Sequence, residues 1–387
     1  MPEPGSPFFS EDHASFRSVV RSYVENELNP HVESWETDGM MPLHDIFGQM
    51  GKLGFLGLEY EPAYGGQGAD HGFTVVLAEE LGRAHHGSIG MAVGVQADMA
   101  TPSLAQFGSH ELKERFLAPA IRGEMVAAIA VTEPDAGSDV AGIRTRAIRD
   151  GDEWVINGSK MYITNSLQAD WLCLLVRTSD EGGYRGMSQV IVPTDAPGFE
   201  VSRKLDKLGM RASDTGLLTF TDMRVPVANT IGEVGKGFQQ QMAQFVIERM
   251  WSSYSSVGGM DLAIERTVEY LKQRSTFGQP LIANQHIQFR LAELAAEIDL
   301  LRHYNYALAT VSMSGQDPTR MASIAKLKSG RLAREVADQC MQFHGGIGYM
   351  EETWTARHLR DARLASIGAG ADEIMLQVLA RIDGFSS

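Results

Sequence analysis

Cysteine is scarce: Cys173 and Cys340 are the only two, and they stand far apart. Their number excludes a disulfide framework and a cysteine-based zinc site, and it fits a reducing compartment. Long apolar runs are missing too. No stretch approaches roughly 18 uninterrupted apolar residues, and the opening MPEPGSPFFSEDH lacks the basic-then-apolar pattern of a secretion signal. A whole, cytoplasmic chain with no membrane partner is the expectation. Positive charge is in deficit. Thirty-four Lys and Arg against 49 Asp and Glu leave a net charge of −15, which argues against a nucleic-acid partner bound through a basic face. Three motifs are also absent: a Gly-x-Gly-x-x-Gly opening a βαβ unit, a Walker loop, and His-Glu-x-x-His. The pair His85-His86 has no further ligands nearby, so packed or surface histidines are expected, and no metal.

What is present describes an ordinary folded protein. The 387 residues, 43% hydrophobic and 21% charged, suffice for two or three packed units. Apolar residues change period twice. In 1–123 the spacing is helical: Phe16, Val19, Val20, Tyr23, Val24 and Leu28 recur every three or four residues behind a helix start at Ser10. Helical segments continue at 43–53, 73–81, 103–107 and 111–121, and Gly65 and Gly66 sit in a loop where positive φ is available. In 124–236 the period shortens. Strands are expected at 145–148, 153–156, 161–164, 171–178, 189–193 and 216–221, with hairpin turns at Asp150-Gly151 and Asn157-Gly158. Short strands at regular spacing predict an antiparallel sandwich or barrel. In 237–387 long helices return at 238–274, 285–314, 318–343 and 372–382, predicting a helical bundle. The class is therefore α+β, in the order helices, sheet, helices.

One stretch concentrates chemistry. Ala127 to Val131 is a small apolar strand, followed by a loop holding Thr132, Glu133, Asp135, Ser138 and Asp139 beside Gly137 and Gly142. Hydroxyls and close backbone approach suit a polar ring edge or a phosphate, though an ordinary strand connection has the same composition. Read as a whole, AVTEPDAGSD (130–139) closely resembles the first signature of the acyl-CoA dehydrogenase family. QFHGGIGY (342–349), with Glu352, Arg357 and Asp361 beyond it, resembles the second. The similarity runs over essentially the whole chain. It implies an N-terminal helical domain, a middle antiparallel β domain and a C-terminal four-helix bundle, with FAD between the last two.

The resemblance also assigns residues. It places Val131, Thr132, Gly137 and Ser138, with Tyr162, Ile163 and Thr164, on the flavin ring side. Arg274, Phe277, Gln285, Gln342, Gly345 and Gly346 fall on its pyrophosphate side, reached across a subunit interface in a homo-oligomer, expected to be a dimer of dimers. Glu373 is expected toward the cofactor or a partner chain. His344 reads as a packed residue.

The family oxidises a thioester between its α and β carbons. A base takes the α proton while a hydride leaves the β carbon for flavin N5, giving a trans-2-enoyl-CoA, and electrons pass to an electron-transferring flavoprotein. Many members carry a glutamate base in the segment that here reads SIGAGADE (366–373), where the matching position is Ala369. A branch resembling isovaleryl- and long-chain acyl-CoA dehydrogenases carries it on the first long C-terminal helix. There the matching residue is Glu248, followed by Arg249. A carboxylate desolvated by an acyl chain has its pKa raised into the working range. The joint occurrence of Ala369 and Glu248 makes Glu248 the expected base, with Glu373 the runner-up. Ala369 is expected to act through its backbone N–H on the thioester oxygen, an oxyanion-hole effect. Ser138, Arg249 and Gly370 are the expected substrate contacts.

Ser252, Ser255 and Gly259 line one helix face beside Glu248, leaving room for a bulky acyl chain or allowing close helix packing. A resemblance to bacterial citronellyl-CoA dehydrogenases implies a 3-methyl branch. Val246 departs from relatives that carry an aspartate there toward CoA. Other readings on the same scaffold are an acyl-carrier-protein dehydrogenase, a flavin monooxygenase and a non-catalytic flavoprotein.

Overall fold

The computed structural model describes residues 8–385. The chain opens with helices α1 (Glu11–Tyr23), α2 (Val32–Asp38), α3 (Leu43–Lys52), α4 (His71–Gly82) and α5 (Gly87–Gly94). Ser10 caps α1, its hydroxyl accepting from the His13 amide while the His13 ring nitrogen accepts from the Ser10 amide. α5 runs on into a π-helical turn at Val95–Ala100, and α6 (Pro102–Phe107), α7 (His110–Leu112) and α8 (Ala118–Ile121) follow. Of the two loop glycines, only Gly65 takes positive φ, at 93°. At Gly66 the reason for glycine is proximity instead: a Cβ would stand 2.1 Å from the Tyr60 carbonyl oxygen.

Seven strands form one sheet: β1 (Ala127–Ala130), β2 (Arg146–Asp150), β3 (Glu153–Thr164), β4 (Trp171–Arg177), β5 (Met187–Pro193), β6 (Phe199–Lys204) and β7 (Thr215–Pro226). The order is β1-β4-β2-β3-β7-β6, with β5 on β4. Most pairs are antiparallel, but β1 lies parallel to β4, and β2 meets β4 parallel at Arg146 and Arg177. The purely antiparallel expectation is corrected at that edge: the chain reaches β4 from β1 by a long excursion, not a hairpin.

Asn157-Gly158 is a second correction. The pair lies inside the 12-residue β3, which pairs with β7 on both sides of a register shift there. The Asn157 side chain is engaged by Asp222, which accepts from its amide at 3.1 Å and donates its own backbone N–H at 2.9 Å. A partner strand was available to extend the ladder, so the dipeptide became a bulge. Asp150-Gly151 does form the expected turn, with Gly151 at φ 62°.

Beyond the sheet come α9 (Gly237–Gln273), a small hairpin β8 (Ser275–Thr276) and β9 (Gln279–Pro280), α10 (Gln285–Met313), α11 (Thr319–His344), α12 (Trp354–Ala362) and α13 (Asp372–Ile382). α9, α10 and α11 pack as a bundle around Val257, Met260, Leu294, Ile298 and Val336, and α13 lies against α11. α9 also enters the N-terminal core, where Trp251 and Tyr254 are 3% and 0% exposed. Burying side chains of that size contributes about 2 kcal/mol each. Gly82 and Gly258 let α4 and α9 approach closely: a Cβ at Gly258 would stand 1.9 Å from the Glu79 carbonyl oxygen.

Candidate active site

Glu248 sits on α9 between two flanking groups of residues. Three positions before it, Phe245 packs with Phe238 against the Val131 cluster at the end of β1, so α9 is pinned to the first signature loop. Glu248 itself is half-buried and makes no hydrogen bond or ion pair among the described residues. Burial pushes its carboxyl up to about 7, against the opposing pull of Arg249 and then Lys326. A carboxylate buried without donors is costly unless something else requires it.

Arg249 is buried, its Nε has no partner, and loss of water lowers its pKa while Glu248 raises it. Facing Arg249 is the turn before α13. Ala369 and Gly370 have φ of 55° and 95° in succession. Alanine in that region costs about 1–2 kcal/mol, a strain that persists only where surroundings hold it. Gly370 has no room for a side chain. A Cβ there would stand 2.6 Å from Met375 Cε and 3.9 Å from Arg249 Nε. Lys326, on α11 and fully buried, donates from Nζ to the Gly370 carbonyl. Burial drops its pKa to about 8, with Asp372, Glu248 and Glu373 raising it and Arg249 lowering it. Glu373 is exposed at the start of α13.

The first signature loop adjoins β3. The Met161 amide donates to the Thr132 carbonyl at 2.8 Å, and Gly137 approaches the Thr132 methyl. Gly137 and Ser138 are exposed, Ile163 is buried, and Thr164 is half-buried opposite Thr215. Tyr162 is 63% exposed with φ 64°, at a second irregularity in β3. Glu133, by contrast, is occupied within the fold. It accepts from the Arg144 and Thr145 amides at 2.7 and 2.9 Å and from Lys160 Nζ at 2.9 Å. Lys160 also donates to the Val131 carbonyl at 2.8 Å.

The remaining assigned residues gather elsewhere. Arg274, Phe277, Gln285, Gln342, Gly345 and Gly346 are all exposed near the far end of α9, where Leu271, Ile287 and Phe343 hold their segments together. Phe277 stands fully clear of the chain with φ 50°. His344 is packed, stacked on Tyr270 at 4.3 Å and bonded to the Cys340 carbonyl at 2.7 Å. Along α9, Glu248 and Arg274 are 26 residues apart, roughly 39 Å at helical rise. Within one chain these two groups do not meet.

Other sequence features turn out to be structural. Arg357 pairs with Glu33 at 2.7 Å, and Asp361 accepts from the Gly87 amide at 3.0 Å beside a buried His86, bracing α12 against the N-terminal helices. Ser255 and Gly259 belong to the helix seam: a Cβ at Gly82 would meet the Ser255 carbonyl oxygen at 2.0 Å, and one at Gly259 would meet the Gly82 carbonyl oxygen at 3.2 Å. Close packing, not pocket space, explains those two small residues. Lys326 and Lys160 escaped the sequence reading, since a lysine in a mixed helix or strand reads as surface charge. No group of three or more metal-ligating side chains occurs among the described residues.

Comparison with known proteins agrees along the whole chain. Family models match for the acyl-CoA dehydrogenase N-terminal domain over residues 10–124, the middle domain over 128–223 and the C-terminal domain over 235–382. A probable acyl-CoA dehydrogenase of Bacillus subtilis, YngJ, is 37% identical over 96% of this chain and 98% of its own. The mitochondrial long-chain specific acyl-CoA dehydrogenase of Mus musculus is 36% identical over 96% of this chain and 86% of its own. The crystal structure of an acyl-CoA dehydrogenase from Geobacillus kaustophilus superposes with a TM-score of 0.94 at 38% identity, covering 98% of this chain and 99% of that one. The protein therefore belongs to the acyl-CoA dehydrogenase family, whose members depend on FAD, and is an enzyme of that class.

Proposed function

We propose that the enzyme converts an acyl-CoA thioester to its trans-2-enoyl-CoA, with Glu248 as the base that removes the α proton. The observation that carries this reading is the state of Glu248: its carboxyl has no hydrogen-bond partner among the described residues and is pushed up to about 7 by burial. A base with that proton affinity is half-ionised near neutrality and keeps enough driving force to take a weakly acidic proton. Part of the water that would hydrate the carboxylate is displaced by protein, so less solvent has to be reorganised as the proton moves.

The thioester oxygen is assigned to the Ala369 N–H. A donor fixed in a strained turn needs no reorganisation when the oxygen gains charge. Arg249, whose Nε has no partner among the described residues, and Ser138 and Gly370 are the proposed substrate contacts.

For the cofactor, the open backbone at Gly137 and Ser138 and the exposed Tyr162 suit the ring side, with Val131, Thr132, Ile163 and Thr164 supporting them; the exposed Glu373 is assigned to the cofactor side or a partner chain. The exposed Arg274, Phe277, Gln285, Gln342, Gly345 and Gly346 suit the diphosphate of a partner chain's FAD. Bound FAD supplies the acceptor for the β-hydride. The same reading makes the enzyme a homotetramer built as a dimer of dimers, with an electron-transferring flavoprotein as oxidant, in cytoplasmic fatty-acyl β-oxidation.

The test is anaerobic mixing of purified enzyme with straight and 3-methyl-branched acyl-CoAs while following flavin absorbance. Glu248→Gln is expected to keep its yellow cofactor and to bleach about a thousandfold more slowly than wild type. Bleaching by that variant at a near-normal rate would place the base elsewhere.

A further inference from the structure

A lysine with no exposed surface and no carboxylate within ion-pair reach is rare, because an unpaired buried ammonium costs several kcal/mol. Lys326 is such a residue. Its only hydrogen-bond acceptor among the described residues is the carbonyl of Gly370, the second of the two left-handed residues before α13. The charged groups around it come from two elements, Glu248 and Arg249 on α9 and Asp372 and Glu373 on α13. Asp372 is already engaged by Arg331 at 3.4 Å and Arg334 at 3.9 Å, both on α11. Arg249 and then Lys326 are the charges that oppose the effect of burial on Glu248. One ammonium thus touches the turn that carries the proposed thioester-oxygen donor and lies within electrostatic reach of the proposed base.

We propose that Lys326 is a positioning residue for the reaction, anchoring the Ala369–Gly370 turn through the Gly370 carbonyl and supplying a buried positive charge to the site of Glu248. This rests on Glu248 being the base. The two duties follow from different properties of the side chain. The hydrogen bond offsets the strain of alanine at φ 55° and keeps the Ala369 N–H in one orientation. The charge favours the ionised carboxylate, so Glu248 is available at lower pH than burial alone permits. Lys326 loses its own proton near 8, so the charge acts through the neutral range and fades above it.

Three variants separate these duties, each read as the rate of flavin bleaching by acyl-CoA against pH, with FAD content and thermal stability recorded. Lys326→Arg keeps the charge and is expected to keep the wild-type midpoint near pH 7. Lys326→Gln keeps a donor without charge, so its midpoint moves upward by about one unit while the plateau rate at high pH stays within threefold. Lys326→Met loses both, and its midpoint rises similarly while its plateau falls about tenfold or more. Should the methionine chain fail to hold FAD, the glutamine variant alone carries the charge test. An unchanged midpoint in Gln and Met variants that bind FAD normally overturns the proposal. Normal bleaching by Glu248→Gln would overturn the base assignment instead, a separate measurement with a separate outcome.

Discussion

At the scale of single residues, buried ionisable groups mark the places where the protein tolerates an energetic cost. Asp98 is a second such place. It is 8% exposed, has no hydrogen-bond partner among the described residues, and lines a cavity of about 160 Å³ with Glu59, Tyr60, His71 and Thr74. Burial, then the neighbouring Glu59, pushes its carboxyl up to about 8, with His71 opposing. The folded chain therefore keeps a proton that the unfolded chain releases near pH 4. Stability contributed by this group falls as pH rises from about 4 to 8, by up to about 1.4 kcal/mol per unit. Asp98→Asn should flatten that decline and raise the melting temperature at pH 8 relative to wild type. A variant whose melting curve tracks wild type at both pH 5 and pH 8 would show that Asp98 does not titrate in that range. Glu248 was picked out in the sequence, as the proposed base, by a register against the Arg274 segment and an alanine at 369. Lys326, Asp98 and Lys160 were not, since only the packing of distant segments makes them buried.

At the scale of elements, periodicity gave helix bounds to within a few residues, and α13 falls on 372–382 as expected. The sheet was harder. Asn157-Gly158 has the composition of a two-residue turn, yet the chain passes straight through it because β7 pairs on both sides. Parallel contact between β1 and β4 leaves no local signature at all. Gly158 is still indispensable, for another reason than a turn: its φ is 146°, and a Cβ would stand 2.6 Å from Thr145 Oγ1 and 2.7 Å from Thr145 Cα. Gly158→Ala is expected to lose about 2–4 kcal/mol in denaturant unfolding. A loss below about 0.5 kcal/mol would mean the bulge relaxes freely. The short β6 and the β8–β9 hairpin also escaped, since few residues carry their pattern.

At the scale of the whole molecule, the proposed site is split. Glu248 and Arg274 lie on one helix, roughly 39 Å apart, and no fold of a single chain brings them to one cofactor. Phe277 stands fully exposed at the tip of the small hairpin, an apolar surface that water disfavours and a partner chain would cover. Phe277→Asp is expected to shift the protein toward smaller species in sedimentation and to lower FAD per chain in parallel. Assembly and FAD content both unchanged would refute the cross-chain assignment. The helices-sheet-helices order was legible because each region is long enough to average out local exceptions. The proposed assembly between chains rests on family resemblance alone, since surface residues carry no periodic signal of what covers them.

The 37 residues of α9 form an uninterrupted rod, gripped at its middle by the glycine seam with α4. On the proposed reading, one end serves the chain's own flavin and the other serves a neighbour's. A tilt of that rod about the seam would displace a proton acceptor in one active site and a phosphate clamp in the next. The two centres would then feel one another's occupancy without any loop having to move.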